Sequence, residues 1–173
     1  MLVTTAEEFN DAITYLSNYD EWVIDCETNG LYALQGNQLC GVGVGVEGRT
    51  YYFPFRHQTL DSNLDSELLP KLMEVMNTCK TVVGYNIKFD LKFLEKEGLE
   101  VQDKALVDVI VMVRLTESTN VNALNLTDTL IRRYGPEAGA YDIETKQVLR
   151  KNKWTKDFSL CPPDILGPYC EKD

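Results

Sequence analysis

Asp25 and Glu27 end an apolar run, Trp22-Val23-Ile24-Asp25-Cys26-Glu27, Asp90 closes Asn86-Ile87-Lys88-Phe89-Asp90, and Asp173 closes Tyr169-Cys170-Glu171-Lys172-Asp173. Carboxylates brought to one point repel one another unless they take up protons or cations. Hard divalent ions remove the conflict. Mg²⁺ favours oxygen ligands, needs only one or two carboxylates per ion and completes its shell with water and phosphate oxygens. Two such ions about 3.5–4 Å apart can activate a water and stabilise the leaving oxygen in phosphodiester hydrolysis. Four acids and one phenol in this order therefore suit a two-metal nuclease.

Such residues must be aimed by regular structure. On a strand, side chains two apart share a face, so Asp25 and Glu27 can converge while Ile24 and Cys26 face the other way. On a helix, residues four apart share a face, which pairs Asn86 with Asp90 and Tyr169 with Asp173. The surrounding pattern supplies these elements. Apolar spacing predicts a helix over 5–19, with Thr5 and Glu8 as a capping box, leading into a strand over 21–27. Strands over 38–46 and 50–55 form a hairpin around Glu47-Gly48. Helix 67–77, strand 81–85 and helix 87–97 follow, the last stopped by Gly98. A short strand near Ala105 and Leu106 precedes helices over roughly 107–116 and 124–134. Residues 135–163 read as loop-rich, and 163–173 as the first turns of a helix. An antiparallel start followed by strand–helix alternation implies an α/β layered fold with a mixed sheet.

The chain of 173 residues, 44% hydrophobic, is sized for one domain, residues 1–173, ending at the third carboxylate motif. No apolar stretch approaches the roughly 20 residues needed to cross a bilayer, and the N-terminus lacks signal-peptide character, so an intracellular, cytoplasmic protein without a membrane partner is expected. Five cysteines without a C-x-x-C pair and a single histidine indicate reduced, buried thiols rather than disulfides or zinc. A net charge of −10 argues against nucleic-acid binding by bulk electrostatics. Any such ligand needs cations at the site. The strip Lys146, Arg150, Lys151, Lys153 and Lys156, with Trp154 for stacking, is a candidate strand-binding face, and a solvated face with a packed Trp is the alternative. Gly41-Val42-Gly43-Val44-Gly45 lacks dinucleotide-binding spacing and reads instead as a strand with a glycine face that accepts a close neighbour.

The segments Val23 to Leu31, Val83 to Asp90 and Tyr169 to Asp173 resemble the three exonuclease motifs of the DEDD superfamily, in its tyrosine subclass. Tyr51-Tyr52-Phe53-Pro54-Phe55-Arg56-His57 further resembles the strand after the first motif in the 3′-5′ proofreading domain of family A DNA polymerases. This resemblance covers nearly the whole chain. It implies a ribonuclease H-like fold and removal of nucleoside monophosphates from a DNA 3′ end, in proofreading during replication. It also implies that Asp25, Glu27, Asp90 and Asp173 hold two Mg²⁺ or Mn²⁺ ions and that Tyr169 orients the attacking water. Thr28 and Leu31 are implied to contact the terminal nucleotide and Asn86 to position the strand. Lys88, next to the second motif, is a candidate phosphate contact, and a solvated helix lysine is the alternative. The implied partners are a single-stranded DNA 3′ end and a polymerase domain or subunit. Cys26, facing away, is expected to matter little. Asp173, at the chain end, is expected to be loosely held. An RNA 3′ exonuclease of the ribonuclease D kind shares the same motifs, and a non-catalytic strand-binding fragment remains a third alternative.

Overall fold

The computed structural model describes residues 1–59, 62–117 and 124–172. Seven helices lie among them: α1 Ala6–Leu16, α2 Leu68–Thr78, α3 Lys88–Glu97, α4 Val109–Thr116, α5 Leu126–Tyr134, α6 Ala140–Lys151 and α7 Pro163–Cys170. The strands are β1 Glu21–Thr28, β2 Leu39–Val46, β3 Arg49–Pro54, β4 Thr81–Gly84 and β5 Ala105–Asp108. They form one sheet in the order β3-β2-β1-β4-β5. β1, β2 and β3 pair antiparallel, while β1, β4 and β5 pair parallel, with α3 crossing between β4 and β5. The mixed sheet expected from the sequence is present.

Alternation along β1 sets the layers. Trp22, Ile24 and Cys26 enter a core with Val42, Val44, Tyr51 and Phe53 of the sheet and with apolar residues of α1, α2 and α3. Thr5 caps α1 as expected, its hydroxyl accepting from the Glu8 amide at 3.1 Å while Glu8 Oε2 accepts from the Thr5 amide at 3.1 Å. Arg56 then fixes α3 against β3, its guanidinium forking onto both Glu97 carboxylate oxygens at 2.7 and 2.9 Å.

The opposite face of β1 carries Val23, Asp25 and Glu27, which stand beside Gly45, Gly43 and Gly41 of β2. These glycines make room. A Cβ at Gly41 would fall 2.0 Å from the Tyr52 hydroxyl, and one at Gly43 would fall 2.5 Å from Cys170 Sγ, so α7 can lie directly on the sheet. Behind α7, a second apolar cluster gathers Leu149, Cys161, Leu166 and Tyr169, with Trp154 packed against it.

Residues 135–163 depart from the loop expected there, because α6 occupies twelve of them. Its buried positions include Asp142 and Thr145 beside Leu149, so its inner face is held largely by polar contacts and shows no apolar period. All five cysteines are free and buried, as expected of reduced thiols.

His57 ties the layers together. Its Nδ1 lies 2.7 Å from the Cys161 carbonyl, which can only accept, so Nδ1 donates and Nε2 accepts from the Tyr52 hydroxyl at 2.9 Å. Burial lowers the His57 pKa below its ordinary value, against the carbonyl contact that raises it. The neutral ring therefore stabilises the fold fully above about pH 6.5, and that contribution is lost as pH falls towards the folded-state value. Urea midpoints should fall more between pH 7.5 and 5.5 for the parent than for His57→Gln, and equal slopes would show that His57 titrates as it does in the unfolded chain. Gly43→Ala should destabilise by about 1–3 kcal/mol through overpacking against Cys170. An unchanged melting curve would mean that α7 does not rest on β2 in this way.

Candidate active site

The end of β1 brings backbone and side chains to one point. Glu27 is 3% exposed and Asp90 2%, levels at which a carboxylate needs hydrogen bonds or a counter-charge to remain ionised. Asp90 stands in the first turn of α3, where the helix dipole favours an acid. Its Oδ1 accepts from the Cys26 amide at 3.0 Å. Cys26 thus matters more than its outward side chain suggested: the thiol joins the core, but the main chain holds the second motif against the first.

Burial pushes the Asp25 carboxyl up, partly offset by contacts from the Cys170 thiol and the Cys26 amide. Asp90 is pushed well above the ordinary range by burial first and then by the neighbouring Asp25 charge. Desolvated carboxylates, one of them raised by the charge of the other, suit a site for a cation. One oxygen each of Asp25 and Glu27 and the Cys170 sulfur lie within 4.8 Å of one another. Cys170 Sγ donates to Asp25 Oδ2 at 3.3 Å. Nothing in the sequence signalled Cys170, which sits at an unspecified position inside the third motif.

Asn86 adopts the left-handed conformation, φ 60°, a strained state for a residue with a side chain. Its amide is held at 2.9 Å by Asp108 Oδ1, which also caps α4 through the Ile110 amide at 3.2 Å. Asp108 was not singled out from the sequence, although an Asp between a strand and a helix is a recognisable cap. Lys88 opens α3 and is exposed. The Thr28 hydroxyl donates to the Gly30 carbonyl at 2.7 Å, and Leu31 stands 69% exposed on the following loop.

Tyr169 is 7% exposed and lines a cavity of about 450 Å³ together with Asp25, Gly43, Thr127, Asp142 and Lys146. Of the expected carboxylates, the fold thus brings together Asp25, Glu27 and Asp90, while Asp173 lies outside the described residues. The basic strip is divided: Lys146 pairs with Asp142 at 2.8 Å, Trp154 packs into the second cluster, and Arg150, Lys151, Lys153 and Lys156 remain exposed.

Residues 1–173 match the 3′-5′ exonuclease family along the entire sequence. The chain belongs to that family. No curated protein matches it. Among solved structures, the Nibbler exonuclease domain of Aedes aegypti shares 13% identity with a TM-score of 0.58, covering 78% of this chain and 67% of that one. The catalytic core of Trypanosoma brucei RRP6, in a mutant form, shares 18% identity with a TM-score of 0.60, covering 99% of this chain and 42% of that one. Escherichia coli RNase D shares 12% identity with a TM-score of 0.51, covering 78% and 33%. The chain therefore spans from a third to two thirds of the length of these relatives, and at such identities the likeness establishes the ribonuclease H-like fold alone. Membership of the exonuclease family makes it a nuclease, of a superfamily that uses divalent metal ions. No helix among the described residues is long and apolar enough to cross a membrane.

The buried acids predict opposite effects on the metal-free protein. Asp25→Asn removes charge from a repelling pair, so in chelator its melting temperature should equal or exceed the parent's. Asp90→Ala leaves the Cys26 amide without its acceptor and should cost about 1–3 kcal/mol. Melting with and without Mn²⁺ checks both: the parent should gain stability from the ion and Asp25→Asn should not.

Proposed function

We propose that this exonuclease domain, residues 1–173, hydrolyses the terminal phosphodiester at single-stranded DNA 3′ ends and releases nucleoside 5′-monophosphates, as the proofreading part of a family A DNA polymerase in the cell interior. The observation that carries the reading is the convergence of Asp25 and Glu27 of β1 with Asp90 of α3 through the Cys26 amide. The polymerase assignment is supported by the Tyr51 to His57 segment, in which Arg56 and His57 anchor α3 and the α7 layer, and by the matched family's being named for DNA polymerase A. A polymerase domain or subunit is the corresponding partner.

Two Mg²⁺ or Mn²⁺ ions held by Asp25, Glu27, Asp90 and Asp173 would supply charge stabilisation for the attacking and leaving oxygens. The donor set fits them, being desolvated carboxylates in which the Asp25 charge acts on Asp90 and the contacts at Asp25 come from the uncharged Cys170 thiol and Cys26 amide. Tyr169 orients the water that adds to phosphorus. The bond to the penultimate nucleotide's 3′ oxygen breaks, and that oxygen leaves as the new 3′ hydroxyl. Asn86, held in its strained turn by Asp108, positions the strand, with Lys88 exposed near the same turn for a phosphate. Leu31 offers an exposed apolar contact for the terminal base, and Thr28 stiffens the turn that presents it.

An RNA substrate is the second reading, favoured by fold neighbours described as RNase D, one of them in complex with RNA U12. Matched 3′-labelled DNA and RNA single strands, incubated with Mg²⁺ or Mn²⁺, decide between them. Monophosphate release should be at least tenfold faster from DNA, and a preference for RNA would transfer the assignment to the second reading. Asp25→Ala combined with Glu27→Ala should abolish release; activity within tenfold of the parent would sink the metal site. Tyr169→Phe should lower the rate by roughly 10- to 10³-fold with strand affinity preserved, as for a group that acts on the attacking water.

A further inference from the structure

Cys170 brings sulfur into the carboxylate site. It lies on α7 and is 4% exposed, and its Sγ donates to Asp25 Oδ2 at 3.3 Å. The Asp25 carbonyl oxygen lies 3.8 Å from the same sulfur. The sulfur also stands where a side chain is missing from the sheet, because a Cβ on Gly43 of β2 would fall 2.5 Å from it. Main chain of two strands thus fixes its position. Asp25, Gly43 and Cys170 all line the cavity of about 450 Å³, through which a small cation can reach them.

The separations suit a single ion. One oxygen each of Asp25 and Glu27 and the Cys170 sulfur lie within 4.8 Å of one another, and among the described residues no other three His, Cys, Asp or Glu side chains do so. A tetrahedral Zn²⁺ with Zn–S of about 2.3 Å and Zn–O of about 2.1 Å holds a sulfur and an oxygen ligand roughly 3.6 Å apart, close to the 3.3 Å between Cys170 and Asp25. Hard and soft ions read this group differently. Mg²⁺ takes the carboxylates and gains little from sulfur, whereas an ion of the Zn²⁺ class takes thiolate and carboxylate together.

We propose that Asp25, Glu27 and Cys170 form a site for one thiophilic divalent cation of the Zn²⁺ class, in which Cys170 supplies a sulfur ligand and sets the preference among metals. On ligation the sulfur–hydrogen bond is replaced by a metal–sulfur bond, and the proton leaves to solvent. Such an ion draws on the same two carboxylates as the ions of hydrolysis and therefore competes with them. The inference rests on the reading of Asp25 and Glu27 as metal ligands. To that reading it adds the sulfur, at a position the third motif leaves unspecified.

Cd²⁺, a thiophilic ion whose bond to sulfur gives a charge-transfer absorption in the ultraviolet, tests it on the full chain without substrate. In the parent the band should grow as Cd²⁺ is added, and bound Mn²⁺ should be released, followed as free Mn²⁺ by electron paramagnetic resonance. Cys170→Ser should remove that band and weaken Cd²⁺ binding by about 100-fold while leaving Mn²⁺ binding within about twofold, because only the soft donor is exchanged for a hard one. Asp25→Asn keeps the sulfur and relieves charge, so it remains folded, and it should also weaken Cd²⁺ binding. An equal band or equal Cd²⁺ affinity in the parent and Cys170→Ser would overturn the inference while leaving the exonuclease reading intact, as would Cd²⁺ binding that displaces no Mn²⁺. Failure of the parent to bind Mn²⁺ at all would instead contradict the metal-dependent reading on which the inference rests.

Discussion

Like charges held out of water at the end of β1 are the constraint around which the rest of the structure is arranged. Burial pushes the Asp25 and Asp90 carboxyls up, and Asp90 also feels the Asp25 charge, while Glu27 stands almost wholly buried on the same strand face as Asp25. A fold that keeps such a group intact must hold it with main chain and packing. The Cys26 amide on Asp90, the first turn of α3 beneath it and the Arg56 fork at the far end of that helix all serve to do so. The same repulsion makes the group receptive to divalent cations, which lets a protein of net charge −10 approach a polyanion.

The second constraint is closeness. The third motif can reach the first only if α7 lies directly on the sheet, and side chains on β2 would keep it away. Gly41 and Gly43 remove them, which puts Tyr52 and Cys170 where a Cβ would otherwise stand. Cys170 then touches Asp25, and Tyr169, one residue earlier, faces the cavity. The His57 bridge from Tyr52 to the Cys161 carbonyl holds the segment leading into α7. Left-handed backbone at Asn86, restrained by Asp108, orients the second motif, and Lys153 is the other non-glycine residue with a positive φ among the described residues.

Beside the apolar cluster behind α7, polar contacts join α5 to α6. Asp142, Lys146 and Thr127 make these contacts, and a well-satisfied buried network of this kind specifies one arrangement where a greasy contact would allow several.

The sequence by itself determined the strand, the alternation along it, the helix under Asp90 and the glycine face of β2, because each depends on periods of two or 3.6 residues and on short-range capping. It also carried the family motifs, since their spacing is local. Tertiary structure decided what those periods cannot encode. α6 was illegible because its inner face is polar, its burial satisfied by partners on other helices rather than by an apolar stripe. Cys26 was read by its side chain, whereas its role runs through an amide that only the docking of α3 reveals. Asp108, Asp142 and Cys170 gained their places from neighbours 22, 15 and 145 residues away in the chain, at Asn86, Thr127 and Asp25. Contacts of that span are set by how layers pack, and the physical reason they escape the sequence is that no local preference distinguishes a residue that meets such a partner from one that meets water.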